Sequence, residues 1–149
     1  LINNGILKNT LINSRTAQEY QIESNFASGW EGLRSPVMST GDLKENEIPS
    51  KIDSGVFLNN LHYLNWSDNI GGRITGMTRY ACFWVENGEI VAPIENMRFD
   101  DTIYNIFGEN LESVTNHSQF IPDTGTYSSR SFGGTECPGI LLNSFSLTL

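Results

Sequence analysis

The sequence predicts an α+β domain made mainly of antiparallel strands, forming a sheet or barrel-like arrangement with a few short helices. The dipeptide Asn87-Gly88 joins two apolar runs, and this pair tolerates the positive φ angles of a type I′ hairpin turn. Asn4-Gly5 joins two shorter apolar segments in the same way. The run 139–149 starts continuously apolar and ends in alternation, which is typical of a strand.

The turn at Asn87-Gly88 also fixes a register, because directly opposite residues share one side of the sheet. We call residues 80–94 the central hairpin. One of its faces is almost wholly apolar, and we expect that face to be buried. The other face is mixed and includes Cys82 and Trp84, with Glu86 opposite Glu89 at the tip. The predicted apolar pairs are Val85 with Ile90, Phe83 with Ala92, and Ala81 with Ile94.

Short elements and loops precede the central hairpin. Thr16-Ala17-Gln18-Glu19 has the spacing of a capping box, which predicts a helix from about 17 to 24. Residues 26–38 are predicted to be a loop because Gly, Ser and Pro recur there. Trp30 in that loop has two interpretations, an anchor packed over the core or a ligand platform. The tendency of large aromatic side chains to be buried favours the anchor.

An acidic patch and a predicted interior strand follow. Residues 42–47 lack the spacing of a calcium loop, so we expect a solvated turn or a short helix end. Residues 56–66 carry bulky side chains on both faces, which predicts one interior strand. His62 in this strand is expected to be a hydrogen-bonded structural residue rather than a ligand.

Glycines punctuate residues 68–79, which we expect to be a connection between two buried strands. Two arginines and two hydroxyl groups lie on it, and binding sites concentrate on loops held by a rigid scaffold. Arg73 and Arg79 therefore have two interpretations of equal weight. They are either binding residues or ion-pair partners of local carboxylates such as Asp68.

A second helix is predicted downstream, over about 101–114, with Asp100 as its N-cap. Residues 116–134 are polar and lead into the terminal strand, where Phe145, Leu147 and Leu149 are expected to share a face. The predicted apolar face of the helix consists of Ile103, Ile106, Phe107, Leu111 and Val114.

Composition limits the class of protein. The 149 residues predict one domain, and a net charge of −8 without a Lys or Arg cluster argues against direct nucleic-acid binding. No apolar run is long enough to span a bilayer, so we expect no membrane partner. Two distant cysteines and the lack of a signal-peptide pattern favour a cytoplasmic location. Residues 1–7 read as the middle of a sheet, so we expect 1–149 to be a fragment with an upstream domain missing.

Common catalytic motifs are absent from the sequence, including His-Glu-x-x-His, Gly-x-Ser-x-Gly, the P-loop and Cys-x-x-Cys. Cys82 lies within an apolar strand and is expected to be inert. Cys137 is the better candidate for thiol chemistry, although the adjacent carboxylate of Glu136 disfavours a thiolate. His117 is expected to be an exposed loop residue.

A resemblance to a known family says more about function than these motifs do. Gly72-Arg73-Ile74-Thr75-Gly76, the central hairpin, Met97-Arg98-Phe99-Asp100-Asp101 and the terminal strand from Pro138 occur in a distinctive order. Together they resemble the C-terminal domain of the TldD/PmbA family, whose members are described as metallopeptidases and as modulators of DNA gyrase. The resemblance covers residues 58–114 and the C-terminus.

The resemblance implies that the metal chemistry lies outside this chain. Catalytic members use a His-Glu-x-x-x-His helix to bind zinc, in a more N-terminal part of the protein. A third ligand, a Cys, would fall near 127–129, where this chain has Tyr-Ser-Ser, and Cys137 comes too late to be assigned that role. We therefore expect no catalytic residue, metal ligand or cofactor here. A zinc ion would belong to the full-length protein or its partner.

Two functions follow from the resemblance. The first is the C-terminal domain of a zinc metallopeptidase assembly, a homo- or heterodimer that binds unfolded peptides by strand addition. Its predicted substrate-binding residues are Arg73, Thr75, Arg79 and Tyr80, where a connection enters the central hairpin. The alternative is a non-catalytic, PmbA-like subunit that mediates oligomerisation. A third possibility, a free-standing β-rich module that binds sugars or small ligands, is suggested by the three tryptophans and would require a complete chain.

Overall fold

The computed structural model describes residues 1–130 and 132–148, which form eleven strands and three short helices. The helices are α1 (Ser14–Tyr20), α2 (Ile48–Ile52) and α3 (Ile103–Ile106), and a 3-10 turn covers Glu45–Glu47. The strands are β1 (Ile2–Asn3), β2 (Ile6–Leu7), β3 (Gly55–Leu58), β4 (Leu61–Asp68), β5 (Arg73–Thr78), β6 (Cys82–Glu86), β7 (Glu89–Pro93), β8 (Arg98–Thr102), β9 (Leu111–Pro122), β10 (Gly134–Leu142) and β11 (Leu147–Thr148).

The predicted α+β class is confirmed, with short helices and sheets built from antiparallel pairs. The barrel-like variant of that prediction is wrong for the described residues, because their sheets all have open edges. The chain forms two compact units, Leu1–Ser39 with Ser118–Pro138, and Thr40–His117 with Gly139–Leu149. The division falls within β9 and β10, which pair with each other. Among the described residues, no helix is long and apolar enough to cross a membrane.

The first unit begins with the predicted hairpin at Asn4-Gly5. Both turn residues have positive φ, and Ile2 lies opposite Leu7. Helix α1 begins earlier than predicted, because the Asn13 side chain, not that of Thr16, accepts the first free backbone N–H groups. The Thr16 hydroxyl instead donates to Glu31 Oε1 at 2.5 Å.

Residues 26–38 of the first unit are irregular, as predicted. Trp30 in this loop is 96% exposed, so the prediction that it anchors the loop on the core is wrong for this chain. The ligand-platform interpretation of Trp30 stays a prediction.

The second unit contains a four-stranded sheet in the order β11-β8-β5-β4 and a three-stranded sheet in the order β3-β6-β7. The predicted single strand over 56–66 is wrong, because it is divided between these sheets. Asn59 and Asn60 separate β3 from β4, and two consecutive polar amides favour such a break. Strand β4 is an edge strand, and all of its residues are exposed rather than interior.

The central hairpin has the predicted turn, with φ of 51° at Asn87 and 75° at Gly88. Its first two pairs, Glu86 with Glu89 and Val85 with Ile90, are confirmed. The remaining predicted pairs are wrong, because a bulge gives β7 one extra residue and shifts the partners to Trp84 with Ala92 and Phe83 with Pro93.

Burial of the central hairpin is also uneven. Val85 is 0% exposed, whereas its partner Ile90 is 54% exposed because β7 lies at the edge of its sheet. Cys82, which we assigned to the mixed face, is buried. The buried residues of the central hairpin therefore lie mainly on β6.

The predicted helix over 101–114 is wrong. Residues 98–102 form β8, one helical turn follows in α3, and β9 begins at Leu111. The N-cap is Thr102, whose hydroxyl accepts from the Asn105 backbone N–H at 3.1 Å, and not Asp100. Burial alternates along β8, with Phe99 and Asp101 inside, which is strand periodicity. The alternation is not visible in the hydrophobicity of the sequence, because one of the two buried residues, Asp101, carries a carboxylate.

The predicted terminal strand is two strands in different sheets, β10 and β11. Phe145, between them, places its ring 5.0 Å from the Phe99 ring, while Leu149 lies outside the described residues. Phe99, Val85 and Thr78 are the largest fully buried side chains. The core of the second unit is thus built where β5, β6 and β8 face inward.

Gly76 allows β5 to approach Phe99 closely. A Cβ at this position would lie 2.7 Å from Cε1 of Phe99 and 3.0 Å from the carbonyl oxygen of His62. We expect Gly76→Ala to lower the free energy of unfolding by about 2 kcal/mol, the typical cost of overpacking. Chemical denaturation of the intact protein measures this change.

Gly29→Ala is the matched control, because a Cβ there meets nothing within 4 Å. It should leave the free energy of unfolding unchanged or raise it by about 0.5 kcal/mol. Equal effects of the two substitutions would contradict the close approach at Gly76.

Candidate functional site

The predicted substrate-binding residues lie on β5 and directly after it, in the second unit. The prediction of a loop over 68–79 is wrong, because residues 73–78 form a central strand between β4 and β8. Arg73 begins this strand, and Arg79 and Tyr80 follow its end. With a rise of about 3.3 Å per residue, the two arginines are separated by roughly 20 Å along the strand. The four predicted residues therefore form two separate pairs, Arg73 with Thr75 and Arg79 with Tyr80, and not one cluster.

Arg73 forms an ion pair with β8. Its Nη1 donates to Asp100 Oδ1 at 2.6 Å, and both side chains are exposed. The hydrogen bond and the negative charge of Asp100 raise the pKa of the Arg73 guanidinium above its ordinary value. The ion-pair interpretation is thus the one realised in the isolated chain, with Asp100 rather than Asp68 as the partner.

Thr75 is half-buried on the same strand, and its hydroxyl donates to the Phe99 carbonyl oxygen at 3.0 Å. The hydroxyl therefore supports the pairing of β5 with β8. The role of Arg73 and Thr75 in substrate binding stays a prediction.

Arg79 lies between two aromatic rings. Its guanidinium carbon is 5.8 Å from the centroid of the Tyr63 ring and 5.0 Å from that of Tyr80, within the range of cation–π attraction. We call Tyr63, Arg79 and Tyr80 the arginine–tyrosine cluster. The sequence analysis missed Tyr63, because residue 63 was expected inside an interior strand. Its position opposite the end of β5 depends on the pairing of β4 with β5, which no local motif encodes.

The outer edge of β4 adjoins this cluster. Within residues 1–130 and 132–148, no strand pairs with that edge. Leu61 lies opposite Thr78, whose N–H points the other way and donates to Met97. The N–H and C=O of Leu61 therefore face the outer edge. Two register shifts, between His62 and Asn65 and between Trp66 and Asp68, interrupt the pairing of β4 with β5.

The residues present do not fit a zinc ion. In the part of the chain that the structure describes, His, Cys, Asp and Glu side chains form no group of three suited to a metal. His62 is exposed and contacts Tyr63, with ring centroids 4.4 Å apart, while His117 lies half-buried within β9 and not in an exposed loop as predicted. The buried Cys82 thiol faces the Asn60 carbonyl oxygen at 3.6 Å, and Cys137 is half-buried.

A small apolar cavity of about 190 Å³ lies between α2 and the central hairpin. It is smaller than most ligand pockets, which measure roughly 300–1,000 Å³. Its lining residues are Glu45, Ile48, Pro49, Ile52, Phe57, Val85 and Ile90.

A comparison with protein families shows to which family the chain belongs. The model of the family described as PmbA/TldA metallopeptidase C-terminal domain matches residues 1–149. The chain belongs to this family. No curated protein matches the sequence.

Three solved structures share the fold of this PmbA/TldA domain. TldE from Thermococcus kodakarensis has 18% identity and a TM-score of 0.79, with 100% of this chain and 33% of that one covered. A candidate modulator of a DNA gyrase from Thermotoga maritima has 20% identity and a TM-score of 0.72, covering 99% and 32%. A candidate modulator of DNA gyrase from Bacteroides thetaiotaomicron has 16% identity and a TM-score of 0.68, covering 99% and 29%. The chain thus spans about a third of each relative.

The PmbA/TldA domain also contains a buried carboxylate that sequence reasoning missed. Asp101 Oδ1 accepts hydrogen bonds from the Thr102 backbone N–H at 2.7 Å and from Asn105 Nδ2 at 2.9 Å. We expect Asp101→Ala to lower the free energy of unfolding by about 2 kcal/mol, because two part-buried donors lose their acceptor. Chemical denaturation of the intact protein measures this loss.

The neighbouring Asp100→Ala is the control. Asp100 is exposed and its partner is the exposed Arg73, so its removal should destabilise the protein less than Asp101→Ala does. A larger effect at Asp100 would show that the surface ion pair, and not the buried carboxylate, stabilises the junction of β8 and α3.

Proposed function

We propose that this domain provides the strand edge by which a TldD/PmbA-like metallopeptidase assembly binds unfolded peptides. The observation that carries the proposal is the open outer edge of β4, with the backbone groups of Leu61 directed outward. An extended peptide can add to such an edge as a further strand.

Strand addition suits unfolded substrates, because main-chain hydrogen bonds provide affinity without selecting a particular sequence. The exposed side chains of β4 add apolar and aromatic contact area for the bound peptide. Those of Tyr63, Leu64 and Trp66 are the largest exposed groups along it. The arginine–tyrosine cluster would contact the peptide at the start of β4.

Hydrolysis itself is assigned to another part of the assembly. The described residues do not fit a metal ion, so no catalytic step is placed on them. In this proposal the remainder of the protein or a partner subunit supplies the zinc, and the assembly is a cytoplasmic homo- or heterodimer. Membership of the family described as PmbA/TldA metallopeptidase C-terminal domain supports placing the domain in such an assembly.

Removing one outward backbone donor tests the strand edge. Leu61 is the first residue of β4, a position where proline is tolerated, so Leu61→Pro deletes the outward N–H without breaking a hydrogen bond to β5. We expect the affinity of the intact protein for an unfolded peptide to fall about fivefold to tenfold, the effect of one lost hydrogen bond. Fluorescence anisotropy with a labelled peptide measures it.

Leu61→Ala keeps the N–H and shortens the same side chain, so it should weaken binding much less. If Leu61→Pro and Leu61→Ala bind the peptide as tightly as the unsubstituted protein, the β4 edge is not the peptide site.

A second candidate function, a non-catalytic subunit that mediates oligomerisation, is favoured by a different surface. Strand β7 is also an edge strand, and Ile90 and Val91 on it are exposed. Apolar side chains on an open strand edge are typical of surfaces that a second subunit covers. In this function the occupant is another subunit of the same family.

Charge placed on β7 tests this second function. We expect Val91→Lys to shift the intact protein towards monomers in analytical ultracentrifugation, because a buried ammonium in an apolar contact is costly. Glu89→Lys, on the same strand, is the control for added positive charge and should leave the association state nearly unchanged. An unchanged sedimentation coefficient for Val91→Lys would rule out β7 as the subunit interface.

A further inference from the structure

We propose that Arg79 binds the C-terminal carboxylate of a peptide lying along β4, so that the domain selects peptides by their free carboxyl end. This inference rests on the proposed function and adds a substrate class to it. It follows from the charge, the surroundings and the position of Arg79.

The charge of Arg79 is not neutralised by the described part of the chain. The sequence has 17 acidic and 9 basic residues, so acidic partners are plentiful. The ion pairs among the described residues are nevertheless Lys44 with Glu47 and Arg73 with Asp100, and Arg79 is in neither. Six other Lys and Arg side chains among the described residues are also in no ion pair, so this charge permits binding of an external carboxylate, and the two neighbouring tyrosines are what distinguish Arg79.

Arg79 is half-buried, and two exposed tyrosine side chains lie close to its guanidinium. Tyr63 and Tyr80 approach the guanidinium, and their side chains are 67% and 69% exposed. A cation–π contact uses none of the guanidinium N–H groups as hydrogen-bond donors, so a carboxylate can still accept two of them. The two contacts also restrict the side chain before binding, which lowers the entropy lost on forming the complex.

The backbone around Arg79 is fixed in an unusual conformation. Tyr63, Tyr80 and Ala81 have φ of 52°, 53° and 42°, a left-handed region that residues with a Cβ rarely occupy. Such conformations are concentrated at functional sites, where the surrounding structure maintains them. The Arg79 N–H also donates to the Asn60 carbonyl oxygen at 3.1 Å, which holds Arg79 beside the start of β4.

The position of Arg79 determines the direction of the peptide. A strand that adds antiparallel to the outer edge of β4 ends where β4 begins, so its carboxyl end arrives on the outer side of Asn60. The Arg79 backbone lies on the inner side of Asn60, and its guanidinium extends to the Tyr63 ring of β4. Asp68 lies at the other end of β4, nearer the peptide's amino end. The edge is thus positive at its start and negative at its end, which complements the two charges of an antiparallel peptide.

Two labelled peptides of the same eight-residue Thr/Val/Ser sequence test the inference, one ending in a free carboxylate and the other in an amide. Their affinities for the intact protein are measured by fluorescence anisotropy. We expect the free acid to bind about tenfold more tightly, the effect of a charge-assisted hydrogen-bonded pair. Arg79→Gln should abolish this difference, and a circular-dichroism spectrum equal to that of the unsubstituted protein shows that the variant is folded.

Two further variants separate geometry from overall charge. Arg79→Lys keeps the charge but loses the planar fork, so it should retain only part of the preference for the free acid. Lys51→Gln, which removes a cation on α2, should leave the preference intact.

The outcomes distinguish the two proposals. Equal binding of acid and amide by the unsubstituted protein, or a preference that persists in Arg79→Gln, overturns the carboxylate inference while peptide binding stands. If neither peptide binds, the proposed function fails, and the inference built on it fails too.

Discussion

The contact between Gly76 and the Phe99 ring is the constraint on which the second unit depends. Because Gly76 has no side chain, the Phe99 ring lies directly against β5, where it is almost completely buried. Strand β5 can then pair with β8 on one side and β4 on the other, and Phe145 completes the contact from the segment before β11. Most of the ordered surface around the candidate site follows from this packing.

The polar side chains at the two ends of β5 differ in whether they have hydrogen-bond and ion-pair partners. At its start, Arg73 and Thr75 are engaged by Asp100 and by the Phe99 carbonyl group. After its end, the contacts of Arg79 within residues 1–130 and 132–148 are with aromatic rings and through a backbone hydrogen bond. Function is expected where a rigid strand leaves donors available, so the two ends of one strand have different prospects as binding sites.

The local sequence predicted the turns correctly. The other elements and the candidate site depend on pairing between strands that are distant in the sequence. Asn4-Gly5 and Asn87-Gly88 were identified correctly, because the positive φ of a tight turn depends on the two residues themselves. The helix expected over 101–114 was wrong, because a buried Asp101 replaced the apolar residue that a strand pattern requires. Arg79 and Tyr80 were predicted to bind substrate from their place in the chain, and that role stays a prediction. Tyr63 lies near them through the pairing of β4 with β5, which their place in the chain does not indicate.

The irregular pairing of β4 has a consequence for solubility. A long, flat, exposed strand with aromatic and β-branched neighbours can template its own aggregation. The register shifts after His62 and after Trp66 divide β4 into short, differently twisted pieces, so an identical edge from another molecule cannot stack on it over its full length. This irregularity restricts pairing with the identical, equally rigid edge of another molecule and so lowers the tendency of the protein to self-associate.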